Sequence, residues 1–231
     1  MLRYAGGKTR AKGKILPYIP EGDIVCPFLG GGSLELELAK TRHVYAGDVN
    51  PEVVNWWTVA MTRRDELVRE LRPLLPPTKE AYYEFKRTLT EGDEMSRAVK
   101  FYFVNRCCFS ACMTGGYSGG RFTPSCLDRL ETAEFGNLEV VCCDYEVLLQ
   151  RPEFAYLDPP YDVPNLYLSG AFDHERLAKI LKTRKNWLLS YNDTPRIRTL
   201  YADCEIIPVS WTYGMTHKMP KEILIRPRTE A

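Results

Sequence analysis

The stretch Asp23-Ile24-Val25-Cys26-Pro27-Phe28-Leu29-Gly30-Gly31-Gly32-Ser33 decides the fold. Its first half is a short apolar run that reads as a strand entering a turn. Three consecutive glycines follow. Ser33 to Lys40 then reads as a helix, with Ser33 as its N-cap. His43-Val44-Tyr45-Ala46-Gly47 reads as the next strand and ends at Asp48-Val49-Asn50. Pro51 opens a second helix, whose apolar positions include Val53, Val54, Trp57 and Ala60. A β-α-β-α succession of this kind predicts a parallel sheet.

The glycine turn lets a ligand approach the backbone between strand and helix. Asp48, closing the next strand, can accept hydrogen bonds from ribose hydroxyls. This pair alone suits a nicotinamide dehydrogenase equally well. The full G-x-G-x-x-G spacing is absent, however, because its sixth position is Glu35.

The rest of the chain extends the α/β pattern and interrupts it once. Arg63 to Leu75, Glu80 to Leu89 and Glu94 to Val104 read as helices, with Pro76-Pro77 between the first two. A glycine-rich polar stretch, Thr114 to Arg121, follows. Strand signals resume at Leu138 to Cys143, Phe154 to Leu157 and Trp187 to Tyr191, with a helix from Asp173 to Lys182. Glu205 to Val209 and Glu222 to Ile225 read as a hairpin at one sheet edge. Residues 1–61 and 137–231 are therefore expected to form one α/β domain, interrupted by a helical insertion over residues 62–136.

Composition fits one good core: 231 residues, 45% hydrophobic and 26% charged. No apolar run is long enough to span a membrane, and the N-terminus lacks the apolar segment of a signal peptide. A cytoplasmic location is expected. The net charge of +1 does not itself announce a nucleic-acid partner. Its distribution is more telling. Residues 1–14 carry Arg3, Lys8, Arg10, Lys12 and Lys14 without an acid, and residues 97–127 carry Arg97, Lys100, Arg106 and Arg121, again without one. Together these stretches suit a phosphate-binding face. The eight cysteines have no paired C-x2-C spacing, so reduced thiols are expected and no metal.

Asp158-Pro159-Pro160-Tyr161 directly follows the strand Phe154 to Leu157. Neither proline can donate a ladder hydrogen bond, so the chain leaves the sheet rigidly, with a carboxylate before the turn and an aromatic ring after it. This arrangement suits a planar base bearing an amino group. The carboxylate and a backbone carbonyl accept the amino hydrogens, and the ring stacks on the base.

In this order the motifs resemble the Dam-type, D12 class of DNA adenine-N6 methyltransferases over nearly the whole chain. Those motifs are Tyr4-Ala5-Gly6-Gly7-Lys8, Pro27 to Ser33, Asp48-Val49-Asn50 and Asp158 to Tyr161. Asn105-Arg106-Cys107-Cys108-Phe109-Ser110, Gly119-Gly120-Arg121-Phe122 and Ser190-Tyr191-Asn192-Asp193 resemble further elements of that family. The resemblance implies a Rossmann-like methyltransferase sheet with a helical target-recognition insertion, S-adenosylmethionine as cofactor, and double-stranded DNA as partner with its adenine flipped out. A monomer is expected.

Position by position, the resemblance implies that Asp158, Pro159, Pro160 and Tyr161 hold the target adenine. It assigns Tyr4, Lys8, Phe28, Gly30, Gly32, Asp48, Asn50, Asp144 and Asp158 to the cofactor. Arg106, Ser110, Tyr117 and Arg121 are the implied DNA contacts. The chain departs from the family at Cys26, where an acid usually precedes Pro-Phe, and at Tyr4, where Trp is commoner. Two rival readings are a catalytically silent DNA-binding homologue and an amino-methyltransferase acting on RNA or protein.

Overall fold

The computed structural model describes residues 1–4, 6–109, 113–162, 172–209 and 222–228. Its strands are β1 (Ile24–Cys26), β2 (Val44–Asp48), β3 (Leu138–Cys142), β4 (Phe154–Leu157), β5 (Trp187–Asn192), β6 (Glu205–Val209) and β7 (Glu222–Arg226). They form one seven-stranded sheet in the order β3-β2-β1-β4-β5-β7-β6. The first five in that order run parallel, and β7 is antiparallel to both β5 and β6. The expected hairpin is present, with β7 wedged between β5 and the edge strand β6.

Alternation along the strands sorts their side chains between two cores. Ile24, Cys26, Tyr156, Leu188 and Leu224 face one side of the sheet. Val25, Ala155, Leu157, Leu189, Tyr191, Ile223 and Ile225 face the other. On the second side the sheet is covered by α8 (Tyr145–Leu149), α9 (His174–Leu181) and α10 (Pro195–Leu200). Asp144, Asp173 and Thr194 cap these helices by accepting from the backbone N–H groups of Glu146, Arg176 and Ile197.

The first side is covered mainly by α3 (Pro51–Thr62) and α6 (Glu94–Cys107), with α4 (Arg64–Leu71), α5 (Lys79–Arg87) and α7 (Pro124–Glu131) packed outside them. Trp56 of α3 stacks on Tyr102 of α6, with centroids 5.5 Å apart and rings 6° from parallel. The helices after residue 62 therefore share one continuous core with the sheet. Short α1 (Lys12–Ile15) and α2 (Glu35–Leu38) complete the described helices, none of which is long and apolar enough to cross a membrane.

Two expectations change in detail. The helix after the glycine turn is only four residues long, and Ser33 does not cap it. Its hydrogen bonding starts instead at the Gly32 carbonyl, which accepts from Leu36 N at 3.0 Å. The stretch Arg63 to Leu75 breaks after Leu71 into a 3-10 turn containing Pro73, because proline supplies no N–H to continue the helix. The glycine-rich stretch folds back on the end of α6, with Ser118 N donating to Cys107 O at 2.7 Å.

The β1–β4 pairing is what places the site. β1 joins β2 on one flank and β4 on the other, so the order reverses between β1 and β4. Crevices at such switch points, beyond the carboxyl ends of the strands, are where open α/β sheets bind ligands. The glycine turn leaves β1 there, and Asp158 leaves β4 beside it.

Candidate active site

A cavity of about 410 Å³ occupies this crevice, within the usual range for a small-molecule site. Glycine geometry makes its floor. Gly30 and Gly32 have φ of +44° and +62°, in the left-handed region where side chains are strained. A Cβ on Gly32 would fall 2.3 Å from the Trp57 ring, and one on Gly30 would come within 3.2 Å of the Tyr4 ring. Trp57 Nε1 donates to Gly30 O at 3.0 Å, so α3 clamps the turn from outside.

Asp48 stands at the tip of β2 beside this turn. Its Oδ2 accepts from Gly30 N and its Oδ1 from Asn50 N, both at 2.9 Å. Burial pushes its pKa up, and the backbone donors at Asn50, Gly30 and Val49 oppose that push. Asn50 lines the cavity, yet its side-chain oxygen is occupied in capping α3, accepting from Glu52 N at 2.9 Å.

Beyond Asp48 the wall becomes aromatic. Phe28, Tyr145 and Phe172 pack mutually at centroid distances of 5.3 to 5.8 Å. Arg176 lies over the Tyr145 ring at 4.9 Å and grips Asp144 with two hydrogen bonds of 3.0 Å. Burial pushes Asp144 up, but the Arg176 and Glu146 donors outweigh it and hold the carboxyl below its ordinary value. Phe172 and Arg176 were not legible as site residues, because helix α9 only meets α8 through the fold.

The opposite end holds the Asp-Pro-Pro-Tyr turn and the N-terminal Lys8. Lys8 is buried, and its Nζ lies 2.6 Å from Asp158 Oδ1. The same ammonium donates to Tyr161 Oη at 2.8 Å and to Gly6 O at 2.9 Å. Tyr161 in turn donates to Glu222 Oε2 at 2.7 Å. Burial raises the Asp158 pKa, while Lys8 pulls it back toward the ionised form. Glu222, buried on β7, and Glu35, buried on α2, are two further acids of this region that the sequence reading passed over.

A separate latch fixes the end of the turn. Asp162 N donates to Asn192 Oδ1 at 3.0 Å, and Asn192 Nδ2 donates back to Asp162 O at 3.1 Å. Thr194 and Arg196 both donate to the Asp162 carboxylate at 3.1 Å.

The expected DNA contacts divide. Arg106 is corrected: it is buried, and its guanidinium donates to the carbonyls of Arg121 at 3.0 Å and Met1 at 3.4 Å. It braces the N-terminus against the turn and does not face solvent. Tyr117 is likewise turned inward, half-buried with its hydroxyl donating to Pro77 O at 2.7 Å. Arg121 is exposed. Ser110 lies outside the described residues. Arg3, not singled out from the sequence as a site residue, lines the cavity rim and donates to Cys108 O at 3.1 Å.

A glycine turn, a carboxylate at the tip of the second strand and an Asp-Pro-Pro-Tyr turn, meeting at one switch point, define a Rossmann-like methyltransferase. Comparison with known proteins specifies the class. Residues 4–215 match the family model of the D12 class N6 adenine-specific DNA methyltransferases, and the chain belongs to that family. Similar proteins include the type II methyltransferase M.MjaIII of Methanocaldococcus jannaschii, 27% identical over 69% of this chain and 68% of that one. The DNA adenine methylase of Serratia marcescens is 26% identical over 87% and 86% of the two chains. The DNA N-6-adenine-methyltransferase of Escherichia phage P1 is 25% identical over 88% of this chain and 31% of its own.

Proposed function

We propose that this protein transfers a methyl group from S-adenosylmethionine to the N6 amino group of adenine in DNA. The observation that carries the reading is the Lys8–Asp158 pair, at 2.6 Å, on the wall of the cavity shared with the glycine turn. The residues present fit the cofactor: the side-chain-free floor at Gly30 to Gly32 admits a backbone-hugging ligand, Asp48 can receive a ribose, and the Phe28, Tyr145 and Phe172 rings can receive an adenine. When bound, S-adenosylmethionine supplies an electrophilic methyl group.

The chain's own residues prepare the acceptor. The adenine amine is conjugated with its ring, so its lone pair is a poor nucleophile. An ionised Asp158 and the Pro159 carbonyl accept its two hydrogens and turn that lone pair toward the methyl. Lys8 keeps Asp158 ionised in a buried setting. The hydroxyl of Tyr161 is pinned between Lys8 and Glu222, which fixes the ring against which the extruded base stacks. Much of the rate then comes from positioning. Direct transfer needs no covalent enzyme intermediate, so it requires no cysteine nucleophile.

DNA approaches the face that carries the helices α4 to α7 and the N-terminal segment. Arg121 and Arg3 supply charge at the rim, and Phe109, 63% exposed in the folded-back turn, offers an aromatic surface. Incubating DNA with methyl-labelled S-adenosylmethionine and analysing the nucleosides tests the reading. Labelled N6-methyladenine is expected. N4-methylcytosine, or label in RNA or protein alone, would overturn it.

A further inference from the structure

Glu35 opens α2 immediately beyond the glycine turn and is only 4% exposed, yet it lines the cavity. The backbone N–H groups of Leu34 and of Glu35 itself act to lower its pKa, and no side chain among the described residues pairs with it. A buried carboxylate without a cation costs several kcal/mol, and an apolar side chain would pack there at no such cost. The cations lining the cavity are committed elsewhere: Lys8 to Asp158, Arg176 to Asp144 and Glu146, Arg3 to Cys108 O.

The titratable groups around Glu35 come from three directions. Cys26 at the end of β1 is wholly buried, and its thiol is pushed well up by burial and then by Glu35. Tyr156 on β4 and Asp158 just beyond its end face it, as does Lys8 from the N-terminal segment. Burial, reinforced by the charge on Asp158, pushes Glu35 up to about 8. Its carboxyl is therefore mostly protonated in the free protein near neutrality, and a cation beside it would drive its ionisation.

We propose that Glu35 binds the ammonium group at the amino-acid end of the methyl donor, a contact that the Cys26 thiol beneath it cannot make. This rests on the reading that the cavity takes S-adenosylmethionine. The donor has two cationic centres, and only one fits. A sulfonium carries no N–H, whereas an ammonium donates charge-assisted hydrogen bonds to a carboxylate. Binding is then coupled to loss of the Glu35 proton, which passes to solvent.

Calorimetric titration tests this at pH 7 in two buffers of different protonation enthalpy, with S-adenosylmethionine and with S-adenosylhomocysteine. The wild type is expected to release most of one proton, roughly nine-tenths for a group near 8, with either ligand. Glu35→Gln is expected to lose that release and to bind both ligands about 10- to 100-fold more weakly. Unchanged affinity, or a loss confined to S-adenosylmethionine, would overturn the proposal. A wild type that binds neither ligand would instead remove the cofactor reading on which it rests. Should the Gln variant not fold, the deaminated analogue of S-adenosylhomocysteine puts the question to the wild type. It is expected to bind without proton release; release equal to that seen with S-adenosylhomocysteine overturns the proposal.

Discussion

Lys8 and Asp158, from opposite parts of the chain, form an ion pair at 2.6 Å inside the cavity. Burial alone drives Asp158 toward its neutral form, and Lys8 is the group that opposes this. Lys8→Met should therefore move the acid limb of the pH–rate profile upward, because Asp158 must be ionised to accept from the amine. Single-turnover rates across pH 5 to 9 check this. A limb that stays in place would mean that Lys8 does not set the state of Asp158.

Asp158→Asn exchanges one acceptor oxygen for a donor that faces the amine. Methyl transfer should fall by about 10²- to 10³-fold, the usual effect of losing one preorganised polar contact in a transition state. The thermal midpoint should fall as well, because buried Lys8 loses its counter-charge, so retained cofactor binding is the check that the variant is folded. Retained activity would make the turn structural only.

The Asn192 latch allows a test of positioning. Asn192→Ala removes both hydrogen bonds to Asp162 and frees the outgoing end of the Asp-Pro-Pro-Tyr turn. A fall in kcat of roughly 10-fold is expected, equivalent to about 1.4 kcal/mol in the barrier, with KM for the cofactor nearly unchanged. An effect on KM alone would show that the latch serves the cofactor rather than the acceptor.

Gly32→Ala should destabilise the protein by about 1–3 kcal/mol. The new Cβ would sit 2.3 Å from Trp57 in a backbone of φ +62°. Gly13→Ala is the control, because nothing lies within 4 Å of its Cβ. Denaturant unfolding of both variants measures the difference, and equal midpoints would contradict the clamp that α3 places on the turn.

The free protein should lose stability as pH rises from about 5 to 8. Glu35 has a folded pKa of about 8, above its ordinary value of 4.5. Across that window the native state holds a proton that the unfolded chain releases, so unfolding becomes more favourable as pH rises. The contribution is complete below the unfolded value and gone above the folded one. Asp48 and Asp158, also raised, add in the same direction. Glu35→Gln should flatten the slope of unfolding free energy against pH.

The strands were legible because each buried run is short, β-branched or aromatic, and bounded by turn residues, as in Phe154 to Leu157 before two prolines. The glycine floor of the cavity was legible because glycine at such a turn has a backbone reason. Arg106, Glu35 and Glu222 were misread or passed over for one physical cause. A charged residue in sequence reads as surface, and only the fold reveals which charges face inward. Arg106 is buried against carbonyls contributed by distant Met1 and nearby Arg121, a pairing without local periodicity. The length of α2 was hidden by an acid–leucine alternation that suits a longer helix equally well.

Because β7 sits inside the sheet and brings Glu222 to Tyr161, while Lys8 precedes β1, the candidate site joins residues from before the first strand to residues on the seventh. During synthesis on the ribosome, a chain released before β7 emerges lacks an interior strand and the anchor of its stacking ring.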